Sequence, residues 1–459
     1  MSSATAPASA TAVPPVTATL AQFACTASRE SIGAHVRHEA ARALLNWTGC
    51  AIGASRHETV ERALAAVRPF AGPPQASVLG RRDRIDALHA AMLNGITSHT
   101  FDFDDTHLRT VIHPAGPVAS ALLALAEMRG TAGAAFVDAF VIGVEVECRI
   151  GNAVYPSHYD IGWHITGTAG VFGAAAAAGR VLGLDPARMA HALGIAATTA
   201  SGLREMFGSM CKPLHPGWAA KNGLYAALLA EQGFTSAAQP IEGRRGFANV
   251  LATARDYPAI TEGLGATWEL LENTYKPFAC GIVEHPVIDG CIELRNAHHV
   301  DPATVRAVEV KVHPLVLELT GKATPRTGLE GKFSVYHSAA VALIDGAAGE
   351  AQYSDDRVRD PGVVALRDKV QAEVDPALHE DAARVVVVLA DGRRLEKHVE
   401  HAIGSLARPM SDADLERKFR GLATPILGEA RAGALIERLW QVDGAPRAAD
   451  FVALAVPDA

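Results

Sequence analysis

Between about residues 20 and 270 the chain is a succession of helical patterns rich in alanine and glycine, such as ITGTAGVFGAAAAAGRVLGL. Glycine destabilises a helix by about 1 kcal/mol relative to alanine, so its repeated use indicates that helix backbones approach one another closely here. Asp185 followed by Pro186 is typical of a helix start, and Gly233 is typical of a helix end. The pattern predicts a large all-helical domain.

The pattern changes after about residue 275. The stretch AVEVKVHPLVL alternates, with Val308, Val310 and Val312 on one face of a predicted strand. The stretch ARVVVVLADGRRLEKHVE predicts two strands that are joined by a hairpin turn at Asp391-Gly392. Because KFSVYHSAAVALIDG between them predicts a helix, this part of the chain is expected to be a small α+β unit.

Helical signals return near the end of the chain, where Ser411 and Asp414 have a spacing close to that of a capping box. The most economical arrangement is a mainly α fold in which both chain ends build the helical domain and the α+β unit is inserted. The first 19 residues carry no charged side chain and no long apolar run, which favours a disordered tail. The predicted boundaries are therefore a tail over 1–19, a helical domain over 20–270 and 402–459, and an α+β insertion over 271–401.

Composition excludes several classes of partner. The 459 residues have a formal net charge of −8 and no dense run of lysine or arginine, which argues against nucleic acid and anionic membranes as partners. The six cysteines are scattered without CxxC spacing, so a zinc site or a redox motif lacks support and a reducing cytoplasm is the simplest compartment. The most apolar internal stretch, residues 165–179, is too short to span a membrane.

Four short polar islands interrupt the apolar pattern: HTFDFDDTHLRTVIHP, YDIGWHITGTAG, MCKPLHPGWAAKNG and TYKPFACGIVEHPVIDG. Taken singly, each is explained by helix caps, helix-opening prolines or surface lysines. Taken together, they hold charges that are costly to bury unless they are paired, so we expect the aspartates to meet lysines and histidines from other islands. Asp and His can also bind Mg²⁺, Mn²⁺ or Fe²⁺, but HExxH and similar metal motifs are absent, and a metal-dependent hydrolase is kept only as a remote alternative.

These islands carry a resemblance that covers nearly the whole chain after the tail. NGITSHTFDFDDTH, HPAGPVASALLALAE, GWHITGTAGVFGAAAAAGRVLGL, KPLHPGWAAKNG, YKPFACGIVEHPVIDG and TGLEGKFSVYHSAAVALIDG resemble, in the same order, the MmgE/PrpD family. That family includes 2-methylcitrate dehydratase, cis-aconitate decarboxylase and iminodisuccinate epimerase. The resemblance implies a helical domain built from both chain ends, an inserted α+β lid, a homodimer, a site between the two domains, and no metal or organic cofactor.

Site residues follow from the same resemblance, motif by motif. It implies a catalytic set of Asp102, His113, His164, Lys212 and Lys276, and a substrate-binding set of Thr106, His215 and Tyr336. The lysines are expected to stabilise negative charge that develops on a small polycarboxylate substrate, and the histidines to transfer protons near neutral pH. Asp102 would orient a histidine or act as a base. Asp104 and Asp105 are expected to bind backbone amides, lysine or histidine behind the cavity.

The predicted function is that of a cofactor-independent lyase that acts on a small tricarboxylate, as a dehydratase or a decarboxylase, through a carbanion-type intermediate. The stretch from Thr106 to His113 is about one residue longer than in the decarboxylase branch, and GWHITGTAGVFGA and PRTGLEGKFS are more similar to the bacterial branch that contains the epimerase. An epimerase or isomerase of a dicarboxylate such as iminodisuccinate is therefore the alternative. The remaining alternative is a helical binding protein without catalytic activity.

Overall fold

The computed structural model describes residues 14–458 and is dominated by helices. The first part of the chain forms α1 (Val16–Thr26), α2 (Ala34–Gly53), α3 (Glu58–Val67), α4 (Ala87–His99), α5 (Ala115–Arg129), α6 (Gly133–Val154), α7 (Ser157–Asp160), α8 (Ile165–Val181), α9 (Pro186–Ala197), α10 (Cys211–Glu231), α11 (Phe247–Leu251) and α12 (Pro258–Thr261). Two short antiparallel ladders accompany them: β1 (Ala76–Ser77) with β2 (Arg84–Ile85), and β3 (Thr106–His107) with β4 (Asn273–Thr274). Within residues 14–458 no helix combines the length and the apolar character that crossing a membrane requires.

Small residues let the central helices touch through their backbones. Helices α4 and α10 cross where a Cβ added to Gly95 would lie 2.7 Å from the Cα of Gly217. Helices α6 and α8 meet where a Cβ added to Gly173 would lie 2.8 Å from the carbonyl oxygen of Gly143. Since real Cβ atoms essentially never come so close, these glycines cannot be replaced without separating the helices. The close packing that the glycine content indicated is therefore present.

The second part of the chain is a smaller α+β unit. Its helices are α13 (His285–His298), α14 (Pro314–Thr320), α15 (Gly328–Gly331), α16 (Val335–Asp345), α17 (Asp355–Arg359) and α18 (Pro361–Arg367), and its strands are β5 (Val305–Val312), β6 (Val370–Val374), β7 (Ala383–Leu389) and β8 (Arg394–Val399). The sheet order is β6-β5-β7-β8, with β5 and β6 parallel and the other pairs antiparallel. The valines of β5 at 308, 310 and 312 are buried, and Gly392 turns the β7–β8 hairpin with φ +89°, as predicted.

The chain then returns to the first helical unit. Helices α19 (Asp412–Leu427) and α20 (Glu429–Trp440) pack on α2, where the side chains of Phe419 and Leu422 lie against Gly49 and Gly53. The predicted capping box is present, because Ser411 Oγ accepts from the Asp414 amide and the Asp414 carboxylate accepts from the Ser411 amide. The mainly α fold with both chain ends in the helical domain is confirmed, while the exact domain boundaries stay a prediction.

Two expectations about helix starts need correction. The predicted tail over 1–19 is too long, because α1 begins at Val16 and buries Val16 and Thr17; residues 1–13 lie outside the described part of the chain. The sequence does not reveal the apolar face of α1, because the segment has no charged residues that would mark the opposite, solvent-exposed face. The pair His215-Pro216 does not open a helix but lies inside α10, which begins at Cys211.

Candidate active site

A buried aspartate, Asp102, lies at the centre of the polar islands. It follows α4 in a tight loop and has φ +50°, a left-handed conformation that aspartate tolerates better than most residues. Lys276 Nζ donates to its Oδ1 at 2.6 Å and Lys212 Nζ donates to its Oδ2 at 2.7 Å. Burial alone would raise the pKa of Asp102, but the two ammonium groups hold it well below its usual range. Asp102 is therefore a poor base near neutral pH, and its contacts favour a role in holding the two lysines.

Each lysine is delivered by a different part of the chain. Lys212 is the second residue of α10 and its Nζ lies 5.1 Å and 4.9 Å from the ring centroids of Phe207 and Phe333. Lys276 follows β4 and also donates to the Asp102 carbonyl oxygen at 2.9 Å. Burial lowers the pKa of Lys212, while Asp102 opposes that shift. The aromatic rings and the carboxylate together keep the Lys212 ammonium group at the edge of the cavity.

The third group, His113, is held by the backbone that carries the aspartates. Its Nδ1 lies 2.9 Å from the Asp105 carbonyl oxygen, and its own amide donates to the Thr166 hydroxyl at 3.1 Å. A carbonyl oxygen only accepts, so Nδ1 carries the hydrogen and Nε2 is left for the cavity. Nε2 lies 4.0 Å from Asp102 Oδ1, and Thr106 Oγ1 lies 3.4 Å from Nδ1. The longer stretch from Thr106 to His113 thus still brings His113 into the cavity, with Val111 at φ +54°.

A second imidazole belongs to His164, which directly precedes α8. Its Nδ1 lies 2.8 Å from Nδ1 of His215, so one ring donates a hydrogen to the other. Burial, reinforced by His215 and Lys212, lowers the pKa of His164 well below its usual range, and burial lowers the pKa of His215 to about 4. The pair is therefore neutral near pH 7 and shares one proton between two nitrogens.

The remaining acidic residues lie behind the cavity. Asp104 binds Nδ1 of His99 at 2.7 Å, which is one of the expected contacts, whereas Asp105 accepts from the Asn273 side chain at 2.7 Å, a partner that was not among those expected. Burial and the Asp104 charge raise the pKa of Asp105 to about 7. Burial also raises the pKa of Glu147 well above its usual value, and its carboxyl group has no hydrogen-bond partner within residues 14–458. Of these three acidic residues, only Asp104 carries a full negative charge near neutral pH.

These side chains line a small cavity between the helical domain and the lid. The helical domain contributes Asp102, Thr106, Val111, His113, Tyr159, His164, Phe207 and Lys212, and the lid side contributes Lys276, Gly281, Ile282, Val283, Leu319, Thr320 and Phe333. Both sides of the cavity combine polar and apolar side chains. The cavity thus offers two cations and two imidazoles to a bound anion.

Two of the predicted site residues do not line this cavity. His215 contacts it only through His164, so it is a partner of a lining residue. Tyr336 lies on α16, half-buried against the core of the lid, and is absent from the cavity wall. The physical reason is that its side chain packs against that core, because a motif does not specify which way a helix face is turned.

Sequence reasoning also missed Lys418 of α19. Its Nζ donates to the carbonyl oxygens of Phe103 and Lys276 at 2.6 and 2.9 Å and to Asn46 Oδ1 at 2.7 Å. Burial lowers its pKa to about 8. Lys418 thereby ties together the two backbone segments that carry Asp102 and Lys276. Nothing in the surrounding stretch LERKFRG distinguishes it from a surface lysine.

The cluster also has the composition of a metal site. Ligand atoms of His99, Asp102, Asp104 and His113 all lie within 4.8 Å of one another. However, each carboxylate oxygen of Asp102 already receives an ammonium group, at 2.6 and 2.7 Å. A divalent ion bound there would have to displace a lysine from Asp102, so the donor set does not fit a resident metal well.

Comparison with known proteins identifies the family of this chain. The family model described as the MmgE/PrpD N-terminal domain matches residues 18–259, and the MmgE/PrpD C-terminal domain matches residues 278–442. A cis-aconitate decarboxylase of Aspergillus terreus is 28% identical over 457 residues, covering 93% of each chain. The cis-aconitate decarboxylases of Homo sapiens and Mus musculus are each 29% identical, covering 79% and 80% of this chain and 78% of each relative. The chain belongs to the MmgE/PrpD family.

Proposed function

We propose that this protein is a lyase that removes CO₂ from a small unsaturated tricarboxylate of the cis-aconitate type, without a metal or organic cofactor. The observation that carries the proposal is the buried pair of lysines on Asp102, which lines one small cavity together with His113 and His164. Full-length similarity to cis-aconitate decarboxylases from fungi and mammals supports a lyase of this kind.

Lys212 and Lys276 are proposed to bind substrate carboxylates and to stabilise the charge that develops during the reaction. Both ammonium groups line the cavity and are held by one carboxylate, so a polyanion can share them with Asp102. Fixed cations in a cavity from which water is largely excluded stabilise developing charge more strongly than cations in water do. This role does not require either lysine to lose a proton.

His113 is proposed to deliver the proton. In the decarboxylation, the bond between the CH₂ carbon and its carboxylate breaks and CO₂ leaves. The electron pair of that bond forms a new carbon–carbon double bond, and the pair of the original double bond moves to the carbon next to another carboxylate. That carbon takes the proton from His113 Nε2. Two carboxylates, Asp104 and Asp102, lie 3.4 and 4.0 Å from the ring nitrogens and can compensate the imidazolium charge before transfer. His113 regains its proton from solvent when product leaves.

Dehydration of a hydroxytricarboxylate, or epimerisation of a dicarboxylate such as iminodisuccinate, is the second candidate. Both reactions need a proton acceptor and a proton donor at different atoms. The observation that favours them is the second imidazole system, His164 with His215, which shares one proton over 2.8 Å and can accept or donate. Decarboxylation needs only one proton donor, so it leaves this second system without an obligatory step.

The test is a panel of 2-methylcitrate, citrate, cis-aconitate and iminodisuccinate, followed by NMR in D₂O. We expect cis-aconitate to lose CO₂ and gain a single deuterium on carbon. Loss of water from 2-methylcitrate or citrate, or deuterium exchange without loss of mass, would replace decarboxylation by the second candidate. No change in any of the four would contradict the lyase proposal. For the histidine variants described below, the matched control is His158→Gln. His158 is also a buried histidine, and its ring nitrogens contact Leu251 and Thr168 outside the cavity.

A further inference from the structure

A buried histidine that does not line the cavity lies behind both lining imidazoles. His99 is the last residue of α4 and is 1% exposed. Its ring meets the His113 ring edge-on, with centroids 4.5 Å apart, and stacks on the His164 ring at 5.9 Å. His99 therefore contacts both His113 and His164, the two residues whose rings are proposed to transfer protons.

Asp104 joins His99 to His113. Its Oδ2 lies 2.7 Å from His99 Nδ1, and its Oδ1 lies 3.4 Å from His113 Nδ1. Burial lowers the pKa of His99 to about 4, and the contacts of Asp104 with the His99 and His113 rings outweigh burial and hold the pKa of Asp104 well below its usual range. Near neutral pH the pair is therefore a neutral imidazole whose Nδ1–H donates to a carboxylate, and the carboxylate keeps its charge.

The geometry separates two tasks at His113 Nδ1. The Asp105 carbonyl oxygen at 2.9 Å accepts the hydrogen and so selects the tautomer. Asp104 at 3.4 Å is too distant for a strong hydrogen bond but close enough for a strong electrostatic contact in a buried site. Asp104 Oδ1 has no hydrogen-bond partner within residues 14–458, so the His113 ring at 3.4 Å does not compete with another donor for this oxygen.

We propose that Asp104 and His99 are positioning residues for His113: Asp104 supplies the counter-charge that its imidazolium form requires, and His99 holds Asp104 in the orientation that delivers this charge. The inference rests on the proposed function, because it assumes that His113 transfers the proton. The groups that face His113 are the carboxylates of Asp102 and Asp104, the rings of His99 and His164, and the lysines bound to Asp102. Of the two carboxylates, only Asp104 is free of lysine.

The test compares Asp104→Asn, His99→Asn and His99→Gln in the full-length protein. Asparagine places an N–H near the position of histidine Nδ1, whereas glutamine places it near Nε2, so His99→Asn should keep the contact with Asp104 and His99→Gln should lose it. We expect Asp104→Asn and His99→Gln to lower kcat about 10- to 100-fold with KM changed less than about threefold, and His99→Asn to recover most of the loss. Equal losses in both His99 variants, or a loss confined to KM, would overturn the inference.

A second measurement does not depend on any substrate. The ¹⁵N chemical shifts of the His113 ring at a fixed pH near 6.5 report the fraction of imidazolium. This fraction should fall in Asp104→Asn and in His99→Gln and stay close to that of the unaltered protein in His99→Asn and in the control His158→Gln. An unchanged fraction in Asp104→Asn would contradict the counter-charge role even if the substrate panel fails. A failed panel with the expected ¹⁵N pattern would contradict only the proposed function.

Discussion

Replacing Asp102 by asparagine should weaken the protein and yet strengthen its binding of polycarboxylates. Asp102 is 3% exposed and compensates two buried ammonium groups, with Nζ–O distances of 2.6 and 2.7 Å. Removing one partner of a buried ion pair costs about 3–5 kcal/mol, because the remaining charge has no counter-charge. We therefore expect Asp102→Asn to unfold at markedly lower temperature or urea concentration than the unaltered protein when no ligand is present.

The same substitution frees the lysines for a ligand. A hydrogen bond to a charged group contributes about 1.5–3 kcal/mol, and each 1.4 kcal/mol is a tenfold change in affinity. If one lysine no longer has to leave Asp102, the Kd for propane-1,2,3-tricarboxylate should fall about 10- to 100-fold. Saturating ligand should then restore most of the lost stability, since ligand at 100 times Kd adds about 2.7 kcal/mol.

Isothermal titration calorimetry and thermal unfolding with and without this ligand measure both effects. The matched control is Asp345→Asn, which breaks the ion pair with Arg357 in the lid, with an O–N distance of 2.5 Å, and does not touch the cavity. It should lose some stability and leave the ligand's Kd unchanged. Weaker ligand binding by Asp102→Asn would refute the reasoning, because it would mean that Lys212 and Lys276 are not the cations that receive the carboxylates.

Three further outcomes are expected. Prolonged EDTA treatment should leave activity intact, whereas activity that is lost and then restored by one divalent ion would establish a metal enzyme. Alanine at Lys212 or Lys276 should lower kcat/KM about 10- to 100-fold or more, and alanine at His113 should lower kcat about 10²- to 10⁴-fold while sparing KM; full activity of either lysine variant would disprove the site, and an equal loss of kcat in His164→Ala would favour the second candidate function. Burial raises the pKa of Asp105 to about 7, above its value of about 4 in the unfolded chain, so the folded state binds the extra proton between these values and loses stability as pH rises through them. Asp105→Asn should therefore gain stability relative to the unaltered protein from pH 5 to pH 8 in urea titrations, and an equal difference at both pH values would contradict the assignment.

Much of the fold could be predicted because its signals are local. The alternation of Val308, Val310 and Val312, the turn at Gly392 and the cap at Ser411 each depend on a few neighbouring residues, and each is present. The start of α1 at Val16 could not be predicted in the same way, since burial of its apolar face depends on helices far along the chain, such as α9 and α12. The homodimer and the cytoplasmic location stay predictions.

The site was accessible to sequence reasoning only in part. Motifs named the residues that line the cavity, but the double ion pair at Asp102 depends on where Lys212 and Lys276 meet in space, 64 positions apart in sequence (276 − 212). The contact of His99 with Asp104 depends on how the loop after α4 folds back onto the last residue of that helix. Tyr336 is the converse case, because its motif matches the family while its side chain packs against the lid core.

The most direct test of the central claim is a crystal structure of the protein with propane-1,2,3-tricarboxylate, a saturated tricarboxylate that cannot lose CO₂ by this route. The account predicts the ligand in the cavity between the helical domain and the lid, with carboxylate oxygens about 3 Å from Nζ of Lys212 and of Lys276 and the carbon chain within reach of His113 Nε2. Ligand bound elsewhere, or bound in the cavity with both lysines still on Asp102 and no carboxylate near them, would contradict it.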